Sequence, residues 1–266
     1  MARYTQAEFK QLNSSVNELF SVWFENLNTK PGSFFDLQRE MRRTYIWLKD
    51  QKQSISNDLA AIRERSAGIM DSGYLQLQEF ETLKRFQENT VDKTIDATKT
   101  QIDSLIDIKR KGLMDMQTTP PTSTQMQLLQ AFRLRRGNVS RSELQRILPT
   151  VFDNYLATQI LASIAAESGI RLILPDGYSL DQRFEDLGEC KRYLYARAEG
   201  MRNIDALDPR DKPFFMMPPE TNPDMMTDPL YNKYIAMYDY APQLNQTLVI
   251  PEGLSATEHV RIQSYF

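Results

Sequence analysis

Only one cysteine, Cys190, and one histidine, His259, occur in the 266 residues. A single thiol cannot close an internal disulfide, so Cys190 is read as a structural thiol of a chain that folds in a reducing compartment. His259 has no neighbouring cysteine. Tetrahedral zinc sites and Ser-His dyads need more partners than this chain supplies, so His259 is read as a surface residue. Glycine is scarce, at 10 residues, and never forms a G-x-G-x-x-G run or a phosphate loop ending in Gly-Lys-Ser/Thr. Nucleotide chemistry is therefore unsupported. No run approaches the roughly 20 apolar residues needed to span a bilayer, and the start "MARYTQAEFK" lacks the apolar core of a signal peptide. The expectation is a noncatalytic protein with no metal or cofactor, neither secreted nor membrane-spanning.

What the chain does contain is methionine (12), tyrosine (12) and phenylalanine (13), within 41% apolar and 25% charged residues. Few glycines with many long, adaptable side chains favour helices over tight hairpins. "TQAEFKQLNSSVNELFSVWFENLN" opens on a capping-box pattern, Thr5 and Glu8, and sets Phe9, Leu12, Val16, Leu19, Phe20, Trp23 and Leu27 on one stripe. A helix over about 5–28 is predicted. After "KPGS", Ser33 and Asp36 start a second stripe of Leu37, Met41, Tyr45, Leu48, Lys52, Ile55, Leu59 and Ile62, which predicts a helix over 33–67. A third, over 74–115, joins Leu77, Phe80 and Leu83 to Val91, Ile95, Thr98, Ile102, Leu105 and Ile106. Two long helices separated by a glycine-bearing turn make an antiparallel hairpin, and the narrow seam suits a coiled-coil-like rod over 1–117, with Lys52 and Thr98 as register residues.

Pro120 and Pro121 within "TTPPTST" mark 118–124 as a linker and a domain boundary. A small helical module follows over 125–202, with Ser140 and Glu143 as a capping box and Gly137 and Gly169 at helix-terminating positions. "IRLILP" reads as a short strand, and the helix of "SRSELQRIL" is expected to end at Pro149. Residues 203–266 hold eight of the 13 prolines and five of the 12 methionines, with four basic against nine acidic side chains. That composition predicts an extended, acidic docking arm with one strand, "QTLVI". Its anchors would be Phe214, Phe215, Met216, Met217, Met225, Met226, Tyr231 and Tyr234, because prolines keep such a backbone extended while Phe and Met fill pockets.

Asp92 with Asp96, and Asp103 with Asp107, stand one helical turn apart as metal-pair carboxylates do. Without histidine, and with Lys93 and Lys99 close by, they read as a solvated charged face. "AFRLRRGNVSRSELQR" carries Arg133, Arg135, Arg136, Arg141 and Arg146 against the single acid Glu143. Two short helices around a glycine turn could present these arginines to phosphates, which keeps a nucleic-acid-binding alternative open. Pairing of the same basic face with the acidic arm of the same or a neighbouring subunit is the simpler account.

The segment "LLQAFRLRRGNVSRSELQRILPTVFDNYLATQILASIAAESGI", with its Ser-Arg-Ser-Glu-Leu helix start, Asn154-x-x-Ala157, Leu161 and Ile164-Ala165 before Gly169, resembles a helical segment of uncharacterised proteins encoded among the head genes of tailed bacteriophages. The resemblance implies a virion structural component, a minor or accessory capsid protein or an assembly scaffold, found in the virion or the host cytoplasm. Its partners would be copies of itself and other structural proteins such as capsid subunits. The resemblance brings no catalytic residues.

Overall fold

The computed structural model describes residues 2–27, 31–135, 137–174, 179–209, 212–216 and 248–251. They are mainly helical. Two compact units form, one from the described residues of 1–107 and 187–239, the other from those of 108–186 and 240–266.

In the first unit, α1 (Ala2–Glu25) runs antiparallel to α2 (Phe34–Ser66): Ser66 Oγ meets Thr5 Oγ1 at 3.1 Å, Arg65 pairs with Glu8, and Trp23 stacks on Trp47 at 5.8 Å between ring centroids. Helix α1 begins three residues before the expected capping box. Thr5 is buried against α2 and Glu8 faces Arg65, so tertiary contacts claim both side chains that local capping would have used. Ser33 does cap α2, accepting a hydrogen bond from the Asp36 backbone at 3.1 Å. At 1.5 Å per residue α2 is about 50 Å long. Its predicted stripe is buried throughout, except that Lys52 is partly exposed and pairs with Asp205.

The third long helix differs from expectation. It is α3 (Ser72–Phe86), then a π-helical turn (Gln87–Asp92), then α4 (Lys93–Thr118). Val91, Ile95, Thr98, Ile102, Leu105 and Ile106 are buried as predicted, but Leu77, Phe80 and Leu83 face outward, and Leu75, Thr82 and Phe86 take the inward positions. A π turn accommodates in effect one extra residue, which rotates everything before it by about 100° relative to an uninterrupted α-helix. The later part of α8 (Leu180–Gly200) lies antiparallel along α4, tied by Tyr195 and Lys191 to Asp103, by Lys99 to Glu199 and by Arg202 to Asp92.

The second unit contains α5 (Ser123–Arg133), α6 (Arg141–Val151), α7 (Tyr155–Glu167), β1 (Ile170–Ile173) and β2 (Leu248–Pro251). Leu129, Leu144, Leu148, Val151, Leu161 and Ile164 are the heart of its core. Helix α6 passes through Pro149 to Val151 and continues its hydrogen bonding with Phe152 N to Leu148 O at 3.0 Å. The two strands pair antiparallel, with Ile170 opposite Pro251 and Ile173 opposite Leu248.

The unit boundaries fall inside α4 and α8 rather than at Pro120–Pro121. The Asn154 side-chain amide donates to the carbonyls of Thr119 and Pro120, at 3.3 and 3.2 Å, and so incorporates the expected linker into the second unit. The start of the expected docking arm packs on its own chain: Ile204, Leu207, Phe214 and Phe215 are buried in the first unit. Of the remaining arm, only 248–251 lies within the described residues.

Candidate functional site

Asp208 O accepts a hydrogen bond from Lys212 N and opens the short helix α9 (Lys212–Met216). That turn directs Phe214 and Phe215 into the first unit, where they are 2% and 0% exposed. Phe215 lies against Tyr45 of α2 at 5.1 Å, Phe214 meets Tyr193 of α8 edge-on at 6.2 Å, and the two phenylalanines contact each other edge to face at 5.0 Å. Arg42 Nε donates to Phe215 O at 3.1 Å, satisfying a carbonyl at the end of a helix too short to satisfy it internally. Two of the eight expected docking anchors, Phe214 and Phe215, are thus covered by their own chain. The Met216 side chain and Met217, Met225, Met226, Tyr231 and Tyr234 lie outside the described residues.

Beside this aromatic seat is a cleft of about 290 Å³. One wall is a single face of α2, with Tyr45, Lys49, Lys52, Gln53 and Ser56; the other comprises Ile204, Asp205, Leu207 and Lys212. Positions three, four and seven residues apart share a helix face, so the α2 residues line one side of the opening. The Tyr45 hydroxyl makes a long, 3.4 Å hydrogen bond to Ile204 O. Burial, reinforced by the Asp205 carboxylate, pushes its pKa above the ordinary phenol value, so Tyr45 stays protonated and acts as a donor. Among the described residues lining the cleft, three lysines stand against one carboxylate.

The arginine-rich turn is arranged differently from a phosphate clamp. Arg135 binds Glu143 through both guanidinium NH groups and lies over the Phe132 ring at 5.6 Å. Glu143 also accepts from Ser140 N at 2.9 Å, completing the capping box of α6. The Arg135 hydrogen bond, with those from Ser140, lowers the Glu143 pKa to about 2. The N-terminus of α6 is therefore already occupied by an anion of its own chain. Arg133 and Arg146 are exposed and Arg141 is half-buried, with its Nε buried and without a partner. Arg136 lies outside the described residues.

Two of the carboxylates considered as metal ligands are tied to cations. Asp92 accepts from Arg202 and from Gln87, and Asp103 accepts from Lys191 and Tyr195, each at 2.7 Å. Burial raises the Asp103 pKa, but these hydrogen bonds and the Lys191 charge outweigh it and the net shift is downward. Among the described residues no group of histidine, cysteine and acidic side chains could hold a metal ion, and no helix is long and apolar enough to cross a membrane. Cys190 is buried. His259 lies outside the described residues.

Sequence reasoning missed the outward face of α3. Leu77 is 52% exposed, Phe80 64% and Leu83 37%, all on one 15-residue helix whose inner face is already packed. Single exposed apolar residues are ordinary, but three within two turns make a patch. The signal was present in the sequence as two competing stripes, and the π turn decided between them. No family model, curated protein or solved structure matches the chain.

Proposed function

We propose that this chain is a noncatalytic assembly protein whose long helices act as a spacer and which pairs with a second copy of itself through the outward face of α3. The observation that supports this most is the Leu77-Phe80-Leu83 patch. Its spacing is symmetric about Phe80, so a two-fold axis through that residue would set Leu77 of each copy against Leu83 of the other, as an isologous interface needs. Three side chains make a small contact, which suits reversible association or one contact among several in a larger particle. In that reading the paired long helices form a coiled-coil-like rod. The resemblance of Leu128–Ile170 to head-gene proteins of tailed phages favours a virion, with capsid subunits as the further partners. The nucleic-acid alternative has less support, because Arg135 and the start of α6 are already engaged by Glu143.

The test is solution mass by light scattering, with chemical cross-linking across a concentration series. The wild-type chain should exceed its monomer mass of 30.9 kDa. Phe80→Glu and Leu77→Glu should return it to monomer with the helical circular dichroism signal unchanged. A wild-type chain that stays monomeric to its solubility limit overturns the pairing.

A further inference from the structure

We infer that the cleft between α2 and the Ile204–Lys212 segment binds a phosphate monoester carried on a compact apolar body. Lys49 and Lys52 stand one turn apart on α2, and Ser56 follows one turn later on the same face. Lys212, at the start of α9, approaches from the other wall. Lys52 is neutralised by Asp205, the only carboxylate lining the cleft among the described residues, while Lys49 and Lys212 have no ion-pair partner among them. Two ammonium groups uncompensated by the described residues match the charge of a phosphate dianion.

The chemistry separates phosphate from carboxylate. Two ammonium groups without an ion-pair partner among the described residues suit a dianion better than the single charge of a carboxylate. Lysine acts as a point charge with rotatable donors, which suits a tetrahedral oxyanion, and the Ser56 hydroxyl supplies a further neutral donor. Tyr45, Ile204 and Leu207 give the cleft an apolar side. At about 290 Å³ it sits near the lower limit for small-molecule sites, which typically hold about 300–1,000 Å³, so a phosphate and one ring fill it. Lys212 shares the short helix α9 with the buried Phe214 and Phe215.

Isothermal titration with phenyl phosphate tests this, with inorganic phosphate and phenol as the two halves of the ligand. The full-length protein should bind phenyl phosphate at least tenfold more tightly than either half. Lys49→Gln with Lys212→Gln should weaken binding tenfold or more, and rising salt should weaken it progressively. Asp205→Asn should strengthen it, because it removes the competing carboxylate, an effect that a merely structural role for Asp205 would not produce. Phe80→Glu should leave binding unchanged, which keeps this test independent of self-association. Absence of binding, equal affinity for inorganic phosphate, or indifference to the lysine changes would each overturn the assignment.

Discussion

The ring of Phe215 lies 5.1 Å from that of Tyr45, and the main-chain carbonyl of the same phenylalanine accepts from Arg42. A residue from the proline-rich C-terminal region thereby completes the core of helices built from the first quarter of the chain. Truncating a fully buried phenylalanine removes both transfer energy and packing, typically about 3–5 kcal/mol. Phe215→Ala should therefore lower stability by about that amount, measured as a shift of the urea midpoint without a change in slope. A docking anchor would behave otherwise, leaving the midpoint in place and weakening association.

Gly137 adopts φ +84°, and a Cβ placed there would lie 2.7 Å from the backbone oxygen of Glu167. Gly68 has a similar φ of +75° with nothing within 4 Å. Gly68→Ala should incur only the left-handed penalty of about 1–2 kcal/mol, whereas Gly137→Ala adds a backbone clash and should destabilise more. Gly112, inside α4 with open space around it, is the opposite case. Gly112→Ala should raise stability by roughly 0.5–1 kcal/mol. Thermal melts of the three variants under one buffer give the order, and an alanine at 137 that melts no lower than one at 68 would show that the close approach to Glu167 is relieved by movement.

The pH response of the second unit should carry the signature of Glu143. Its folded pKa, about 2, lies below the ordinary 4.5 because Arg135 and Ser140 bind the carboxylate. A depressed folded pKa stabilises fully above the unfolded value and is lost as pH falls through the folded one. The difference in melting temperature between wild type and Glu143→Ala should thus be greatest near neutral pH. It should shrink as pH falls from 4.5 towards 2. A difference that stays constant over that window would mean that Glu143 acts through packing alone.

The helical character and most of the buried stripes were legible in the sequence because period and capping are local. Leu37 to Ile62, the Ser33 and Ser140 caps and the strand at Ile170 all follow from neighbours a few residues apart. What was not legible depends on residues distant in sequence. Thr5 looks like a cap until Ser66 is beside it. Pro120 and Pro121 look like a boundary until Asn154 holds the two carbonyls around them. The Phe214–Phe215 pair looks like an exposed anchor until Tyr45 and Tyr193 cover it. The lysine cleft needs α2 and a segment about 150 residues later, and no periodicity connects those.

The π turn at Gln87–Asp92 sets which face of α3 meets α1, and this can be tested by removing its extra residue. Asn89 is the natural choice for deletion, since it is half-buried and its side chain donates to Asn17 at 3.0 Å. Deleting the residue that the π turn accommodates lets the turn close as α-helix with the phase of α3 against α4 kept, so Leu75, Thr82 and Phe86 stay in line with Val91 and Ile95. Leu77, Phe80 and Leu83 then stay outward. A buried phenylalanine turned outward would cost about 3–5 kcal/mol, so the deletion, which keeps Phe86 inside, should destabilise by much less than that, and Leu77→Gln, at an exposed site, should change stability by less than about 0.5 kcal/mol. A deletion variant that loses several kcal/mol would show that α3 has rotated and that the π turn does more than absorb one extra residue.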